Sequence, residues 1–385
     1  MGERSLAHIE RVESIRPIVG YDRIELATIL GWHCIVPKGL NEGDLGVYFE
    51  IDSLLPAADG RFAFCSKYHY KVKTQRMCKG QVLSQGLFMP LTEFPELEDL
   101  AIGTDVTKRL GVTYYEPEDN IRKASSPDPY KSMASRHPKL FKKRPIRWLM
   151  KHGWGKKLLF LFLGRRKKDS KEWPYWVKKT DEDRIQNVPW LLNDNTMWTQ
   201  TEKIDGSSAT YTMKRGRWPW SKPEFIVCSR NVPFRTGKES CYYDTNVYLE
   251  IAEKYNLRTA LSDLMEMMPD EEWITIQGEI YGAGIQKRDY GLKDHRFAAF
   301  NLILSSKGRV PTRRMVIDLD EVHIPCVPII GEDICFKDWT VDNVLLLSDG
   351  ESVIDGGMRE GFVYRSADGR QSFKAVSNEY LLKYH

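Results

Sequence analysis

The first 115 residues are a succession of short runs rich in β-branched and aromatic side chains, each cut off by turn residues. That pattern restricts this part of the chain to a small antiparallel barrel or sandwich. Ile24 to Val36 is one such run, and Pro37-Lys38-Gly39 ends it. After the turn Asn41-Glu42-Gly43-Asp44, the residues from Gly46 to Ile51 alternate, with Val47, Phe49 and Ile51 on one face. Gln81 to Leu91 and Asp105 to Tyr115 continue the pattern. A barrel of the OB type over residues 1–115 is the specific expectation.

A second strand-rich region runs over residues 181–385. Its expected strands are Met197 to Lys203, Ser208 to Lys214, Glu224 to Ser229, Trp273 to Tyr281, Arg296 to Leu304 and Gly361 to Arg365. Between them, Val247 to Met268 carries Leu249, Ile251, Ala252, Leu257, Leu261, Leu264 and Met265 at helical spacing, which predicts one or two helices. Strands outnumber helices, so the class is α+β, with antiparallel sheets and flanking helices. No Gly-rich dinucleotide fingerprint is present. Thr236-Gly237-Lys238-Glu239 fails as a P-loop, because Val232 stands where the first Gly belongs and Glu239 replaces Ser or Thr.

The two regions are joined by residues 116–180, a linker rich in Pro, Ser and charge followed by a basic, aromatic segment. From Pro138 to Thr180 there are fifteen Lys and Arg against Asp169 and Glu172, a net +13, so the rest of this +4 chain carries −9. Trp148, Trp154, Phe160, Phe162, Trp173 and Trp176 are interleaved with the cations. Such a block reads as a footprint for a polyanion or, equally, as a solvated charge run. An amphipathic helix on a membrane surface is a lesser reading. The longest apolar run, Leu158 to Leu163, falls far short of a membrane span. Seven scattered cysteines without a Cys-x-x-Cys pair indicate neither a disulfide framework nor a zinc site, and fit a reducing cytoplasm.

The residue that organises the chemistry is Lys203, in Thr201-Glu202-Lys203-Ile204-Asp205-Gly206-Ser207-Ser208 at the end of a strand-like run. A lysine amine in such a place can attack phosphorus and hold a nucleotidyl group, provided its proton is removed. The short pattern alone also describes a surface turn. Four segments follow it in order: Ser229-Arg230-Asn231, Gly278-Glu279-Ile280-Tyr281-Gly282, Phe297-Ala298-Ala299-Phe300-Asn301, and Glu360-Gly361-Phe362-Val363 ahead of Ser372-Phe373-Lys374. Taken singly, Arg230 reads as half of a surface ion pair, Glu279 and Glu360 as turn carboxylates, and Phe300 as core.

Taken in series, these motifs resemble those of the covalent nucleotidyltransferases, the polynucleotide ligases and mRNA capping enzymes. Within that superfamily the chain is most similar to ATP-dependent RNA ligases with an N-terminal OB-fold domain. Ser84-Gln85-Gly86-Leu87, Lys179-Thr180-Asp181-Glu182-Asp183-Arg184-Ile185-Gln186-Asn187 and Gly282-Ala283-Gly284-Ile285-Gln286-Lys287 look typical of that group. The resemblance covers nearly the whole chain, with residues 138–172 its least familiar part. Capping enzymes and most DNA ligases place an OB domain after the last motif. Here 11 residues follow Lys374, which favours the RNA ligases.

The resemblance implies three displacements at phosphorus: Lys203 takes AMP from ATP, the AMP passes to a 5′-phosphate end, and a 3′-hydroxyl displaces it. It assigns catalysis to Lys203 and Lys374. Nucleotide binding falls to Glu202, Lys203, Asp205, Gly206, Arg230, Glu279, Phe300, Glu360, Lys374 and Arg184. In these roles Phe300 stacks on adenine, the Glu202 backbone reads the base edge, and Arg230 binds phosphate or a 3′-OH terminus. Glu279 and Glu360 hold Mg²⁺ or Mn²⁺, and Lys374 touches the α-phosphate. Arg184 and Lys287 are further phosphate candidates. Related ligases often carry Lys-x-Lys in the last motif; Ser372-Phe373-Lys374 supplies one lysine, with Lys383 the nearest substitute. The implied substrates are RNA ends or a nicked duplex, with no stable protein partner. The competing expectations are a DNA or mixed-strand nick ligase and a non-catalytic RNA-binding protein on a decayed ligase domain.

Overall fold

The computed structural model describes residues 5–80, 82–114, 146, 173–179, 181–216, 221–234 and 246–384. Most of the basic run from 138 to 172, and the Gly-Lys pair at 237–238, lie outside these residues.

The N-terminal region is built from ten strands: β1 (Ala7–Arg11), β2 (Ser14–Pro17), β3 (Ile24–Ile29), β4 (Trp32–Pro37), β5 (Leu45–Phe49), β6 (Ser53–Leu54), β7 (Gln75–Met77), β8 (Val82–Ser84), β9 (Leu87–Pro90) and β10 (Thr113–Tyr114). Two antiparallel three-stranded sheets, β1-β5-β9 and β2-β3-β4, form the body of a small barrel. The segment between β8 and β9 joins them. Gln85 N donates to His33 O (2.7 Å) and Ile35 N to Ser84 Oγ (3.0 Å), tying the second sheet to β9. Gly86 is required here: its φ is +87° and an added Cβ would lie 2.6 Å from the Tyr48 hydroxyl. The inward strand residues Ile9, Val47 and Phe49 supply the core together with Phe62 and Phe94 from the short helical turns.

Three expected runs resolve differently. Gln81 to Leu91 divides, over its described residues, into β8 and β9 at Gln85-Gly86. Ile24 to Val36 is a hairpin, because Leu30 (φ 52°) and Gly31 (φ 72°) both turn left-handed, the two-residue geometry that matches strand twist. Among the described residues of Asp105 to Tyr115, only Thr113–Tyr114 is strand. Val106, Leu110 and Val112 are buried from a helical turn closed by Leu110 N to Val106 O (2.9 Å).

The C-terminal region pairs two antiparallel sheets. Its strands are β11 (Met197–Glu202), β12 (Ser207–Lys214), β13 (Glu224–Cys228), β14 (Pro233–Phe234), β15 (Trp273–Gly282), β16 (His295–Leu304), β17 (Gly308–Arg309), β18 (Ile329–Cys335), β19 (Gly361–Ser366) and β20 (Ser372–Val376). Its helices are α1 (Val247–Lys254), α2 (Leu257–Met267), α3 (Thr312–Asp320), α4 (Val341–Ser348) and α5 (Asn378–Tyr384). The six-stranded sheet runs β14-β13-β12-β15-β16-β17 and the four-stranded sheet β18-β11-β19-β20. One face of the larger sheet, with Tyr211, Met213, Ile274 and Ile276, is sealed by the apolar stripes of α1, α2 and α3. The outer face of the smaller sheet buries Trp198, Tyr364 and Phe373 beneath α4. Their remaining faces oppose one another. Buried Arg365 bridges that gap, donating to Asn301 Oδ1 (3.1 Å) on one sheet and Thr201 Oγ1 (3.2 Å) on the other.

Barrel and sheets meet directly. Asn187 donates to Glu50 Oε2 (3.0 Å) and accepts from Trp32 Nε1 (3.2 Å), while Leu83 of β8 packs with Val376 and Leu381. Among the described residues no helix is long and apolar enough to cross a membrane.

Candidate active site

A cleft of about 300 Å³ opens where the two sheets face each other. Its floor is the turn between β11 and β12. Lys203 leaves β11 with its N–H bonded to Gly361 O (2.9 Å), so its position is set by β19 as well as by its own strand. Gly206 completes the turn, and no other residue fits: a Cβ there would meet Ile280 O at 2.2 Å and Glu279 Cγ at 2.9 Å.

The Lys203 ammonium lies 2.7 Å from Glu360 Oε1 and 2.8 Å from Oε2. Glu279 reaches the same place from β15, where it pairs with Ser208 across the ladder. Burial alone would depress the Lys203 pKa, but Glu360, Glu279 and Asp205 outweigh it and hold the ammonium above its ordinary value. Burial pushes the Glu279 carboxyl up to about 8, against the pull of Lys203, and raises Glu360 as well. The cleft therefore gathers carboxyl groups around one amine, in surroundings that favour a proton or a cation among them.

Phe300 forms the apolar wall with Ile204 and Val327. It arrives there through a β-bulge. Gln277 pairs with Asn301 and Gly278 with Ala299, which leaves Phe300 as the extra residue. Ala299 and Leu302 face the helix-side core, while Phe300 and Asn301 both face the opposite side.

The cations stand at the rim. Arg230, just past β13, lies 3.3 Å from Asp181 Oδ2, and Lys374 on β20 lies 3.2 Å from Asp181 Oδ1. Asp181 thus holds the two cations on either side of one carboxylate. Burial lowers the Lys374 pKa, and Asp181 partly opposes this. Ser372, two residues earlier on the same strand, carries no charge but accepts from Arg309 Nη2 (2.9 Å) and donates to Glu182.

Of the residues singled out from sequence, Glu202, Lys203, Asp205, Gly206, Arg230, Glu279, Phe300 and Lys374 line the cleft, and Glu360 touches it through Lys203. The Glu202 carboxylate is taken up by the 352–353 loop, accepting from Ser352 Oγ and from Val353 N (2.9 Å). Arg184 is not among the lining residues. Its guanidinium stacks 5.4 Å over Trp32 of the barrel. Lys287 donates to Tyr384 O (2.6 Å), and the Lys383 ammonium sits 5.1 Å over the Tyr384 ring. The sequence reading missed Asp181, Glu182, Tyr290, Arg365 and Tyr380 as members of the site. Asp181 and Glu182 were visible only as part of a longer stretch, and the others serve through contacts distant in sequence.

Glu279 and Glu360 are hard oxygen donors gathered beside a single ammonium, and both carboxyl groups are held above their ordinary range. That donor set fits a divalent cation that keeps several waters.

Two facing antiparallel sheets with a half-buried lysine and two carboxylates at their junction define a polynucleotide ligase fold. An OB-fold domain model matches residues 6–91 and an RNA ligase model matches residues 196–385. The chain belongs to the RNA ligase family, with the OB-fold domain ahead of the ligase domain. Solved structures agree along the whole length. A Naegleria gruberi RNA ligase point mutant without ligand is 29% identical, with a TM-score of 0.72, covering 100% of this chain and 99% of that one. A second, with AMP and manganese, is 28% identical with a TM-score of 0.71 and 99% coverage of both chains. A third, with ATP and manganese, has the same identity, TM-score and coverage. No curated protein sequence matches the chain.

Proposed function

We propose that this RNA ligase seals 3′-hydroxyl and 5′-phosphate RNA ends through an adenylate carried on Lys203, with ATP as co-substrate. The observation that carries the reading is the Lys203 ammonium, clasped by Glu360 at the floor of a cleft with an aromatic wall and a cationic rim. The relatives bound to ATP or AMP with manganese support the same co-substrate and a divalent metal.

Lys203 Nζ gives up a proton toward Glu360 and attacks the α-phosphorus. A P–N bond forms as the bond to pyrophosphate breaks. An oxygen of the RNA 5′-phosphate then attacks the same phosphorus, and the P–N bond breaks. Finally the 3′-hydroxyl attacks the 5′-phosphorus, loses its proton and expels AMP. Each step is an in-line displacement, so the protein acts by positioning and by neutralising phosphate oxygens. Phe300 stacks on the base, Lys374 and Arg230 face the phosphates, and the Glu202 backbone lies at the base edge. Asp205 and Gly206 shape the lysine turn. A divalent cation held by Glu279 and Glu360, Mg²⁺ or Mn²⁺, supplies positive charge that favours the neutral amine. Arg184 acts at the barrel interface through its stacking on Trp32.

Residues 1–115 are assigned to the substrate-binding barrel, 116–180 to the connection and 181–385 to the adenylyltransferase domain. Six described cysteines are free, four of them buried, which supports a reducing, cytoplasmic setting. The test is a sealing assay on nicked duplexes of RNA, DNA and mixed strands, and on single-stranded ends. Sealing of 3′-OH RNA ends above the others is the expected outcome; sealing of DNA nicks alone refutes the assignment of RNA ends.

A further inference from the structure

The lysine turn is gripped from outside its own strands by two buried tyrosines. Asp205, itself 9% exposed, donates its backbone N–H to the Tyr290 hydroxyl (2.7 Å). Its carboxylate Oδ2 accepts from the Tyr380 hydroxyl, also at 2.7 Å. Tyr290 stands two residues after a buried arginine, in Arg288-Asp289-Tyr290, and holds the main chain. Tyr380 comes from α5 and holds the charge.

The helix that carries Tyr380 has a second neighbour. Leu381 follows it in sequence and packs with Val376 on Leu83, a residue of β8 in the barrel, and Leu382 adds to the same contact. The helix start is fixed by Ser377, whose hydroxyl donates to Asp349 Oδ1 (2.6 Å) and accepts from Tyr380 N (3.0 Å). Its end is fixed by Lys287 bonding Tyr384 O. Tyr380 is wholly buried, so its ring has no freedom to follow Asp205 if the helix moves. One short helix therefore touches the barrel with Leu381 and Leu382 and the lysine turn with the residue before them.

We infer that Tyr380 is a positioning residue for lysine adenylylation: it fixes the Asp205 carboxylate beside Lys203, and through α5 it makes that placement depend on how the barrel is seated. The inference rests on the reading of Lys203 as the adenylated residue. The physical requirement is plain. Three carboxylates, Glu360, Glu279 and Asp205, surround one ammonium. Two of them are placed to hold a cation, and Lys203 is paired with Glu360. The third must be held in one orientation, or it competes for the amine. A charge-assisted hydrogen bond from a rigid phenol does this, and its loss leaves a buried carboxylate short of a donor.

The test uses the full chain and single-turnover transfer of label from α-phosphate-labelled ATP. Tyr380→Phe keeps the ring and removes only the donor. Its rate at saturating ATP is expected to fall about tenfold, the usual effect of deleting a hydrogen bond to a charged group. The ATP concentration at half-maximal rate should stay within about twofold, and the melting temperature should fall by no more than about ten degrees, the scale for a buried acceptor left short of one donor with the packing intact. The double variant Tyr380→Phe with Asp205→Asn should be no slower than Asp205→Asn alone. A wild-type rate for Tyr380→Phe, or losses that multiply in the double variant, overturns the inference. Leu83→Val and Leu83→Ala probe the barrel side. They should slow labelling in wild-type protein but not in Tyr380→Phe, and an unaltered rate in both removes the link to the barrel. Lys203→Ala runs in parallel: label uptake there refutes the lysine assignment itself, not the role of Tyr380.

Discussion

Phe300 offers the sharpest test of how the cleft recognises its nucleotide. The ring is the extra residue of the bulge in β16, packed on Ile204 and Val327 and turned toward the cleft. Stacking of a base on such a ring contributes about 1–3 kcal/mol, which is roughly 5- to 150-fold in affinity at about 1.4 kcal/mol per tenfold. Phe300→Leu keeps an apolar side chain of similar volume, so its stability cost stays below about 1.5 kcal/mol. In a chain of this size that is a melting shift of only a few degrees, about 2–4 °C per kcal/mol. The assay is the initial rate of protein labelling as a function of ATP concentration, at saturating divalent metal. The half-saturating ATP concentration should rise about 5- to 100-fold for Phe300→Leu and further for Phe300→Ala. The rate at saturation should change far less, because stacking is made equally in the ground state and the transition state. An unchanged half-saturating concentration in both variants would show that the ring does not meet the base. A fall in the saturated rate alone would show that it shapes the lysine turn instead.

Other outcomes follow from the same geometry. Lys374→Met removes one of two rim cations and leaves Asp181 paired to Arg230; labelling should slow about a hundredfold, the scale for losing one donor to a transferring phosphoryl group, and a loss under threefold would take Lys374 out of the chemistry. The barrel carries its own pH signature in His8. Burial would lower its pKa, but hydrogen bonds and charge from Glu10 (2.9 Å) and Glu50 (3.5 Å) raise it to about 9. Its folded pKa exceeds the unfolded value of 6.5, so the stabilisation is full below 6.5 and is lost as pH rises through 9. At about 1.36 kcal/mol per pKa unit the term reaches roughly 3 kcal/mol. Chemical denaturation between pH 6 and pH 10 should show this decline in wild-type protein and a flatter profile in His8→Gln; parallel profiles would refute the assignment.

Much of this architecture is legible from sequence because its signals are local. The expected strands at Met197, Ser208, Glu224, Trp273, Arg296 and Gly361 lie within one residue of β11, β12, β13, β15, β16 and β19 at their N-terminal ends. Val247 to Met268 divides into α1 and α2 at Asn256, whose φ of 49° breaks the helix. Other features had readable signals that went unused. Thr340 and Asn343 form a capping box that announces α4, and Pro311 precedes α3. What sequence could not reveal depends on register or on distant partners. Simple alternation cannot show that Phe300 and Asn301 face the same way, since that follows from a bulge. Glu202 lines the cleft as its place in the motif suggests, but the partner of its carboxylate, the 352–353 loop some 150 residues away, leaves no mark in the sequence. Arg365 reads as an ordinary strand arginine until Asn301 and Thr201 are seen on either side. Tyr290 and Tyr380 carry no motif at all, and only the folded chain sets both hydroxyls on Asp205.

The central claim is that Lys203 carries the adenylate. The direct measurement is peptide mapping by mass spectrometry after incubation with ATP and a divalent metal, alongside Lys203→Met. The adenylate mass should appear on the peptide containing Lys203 and vanish in the variant, while the variant still binds ATP. Adenylate mapped to another residue, or unchanged labelling of Lys203→Met, would contradict the account at its base.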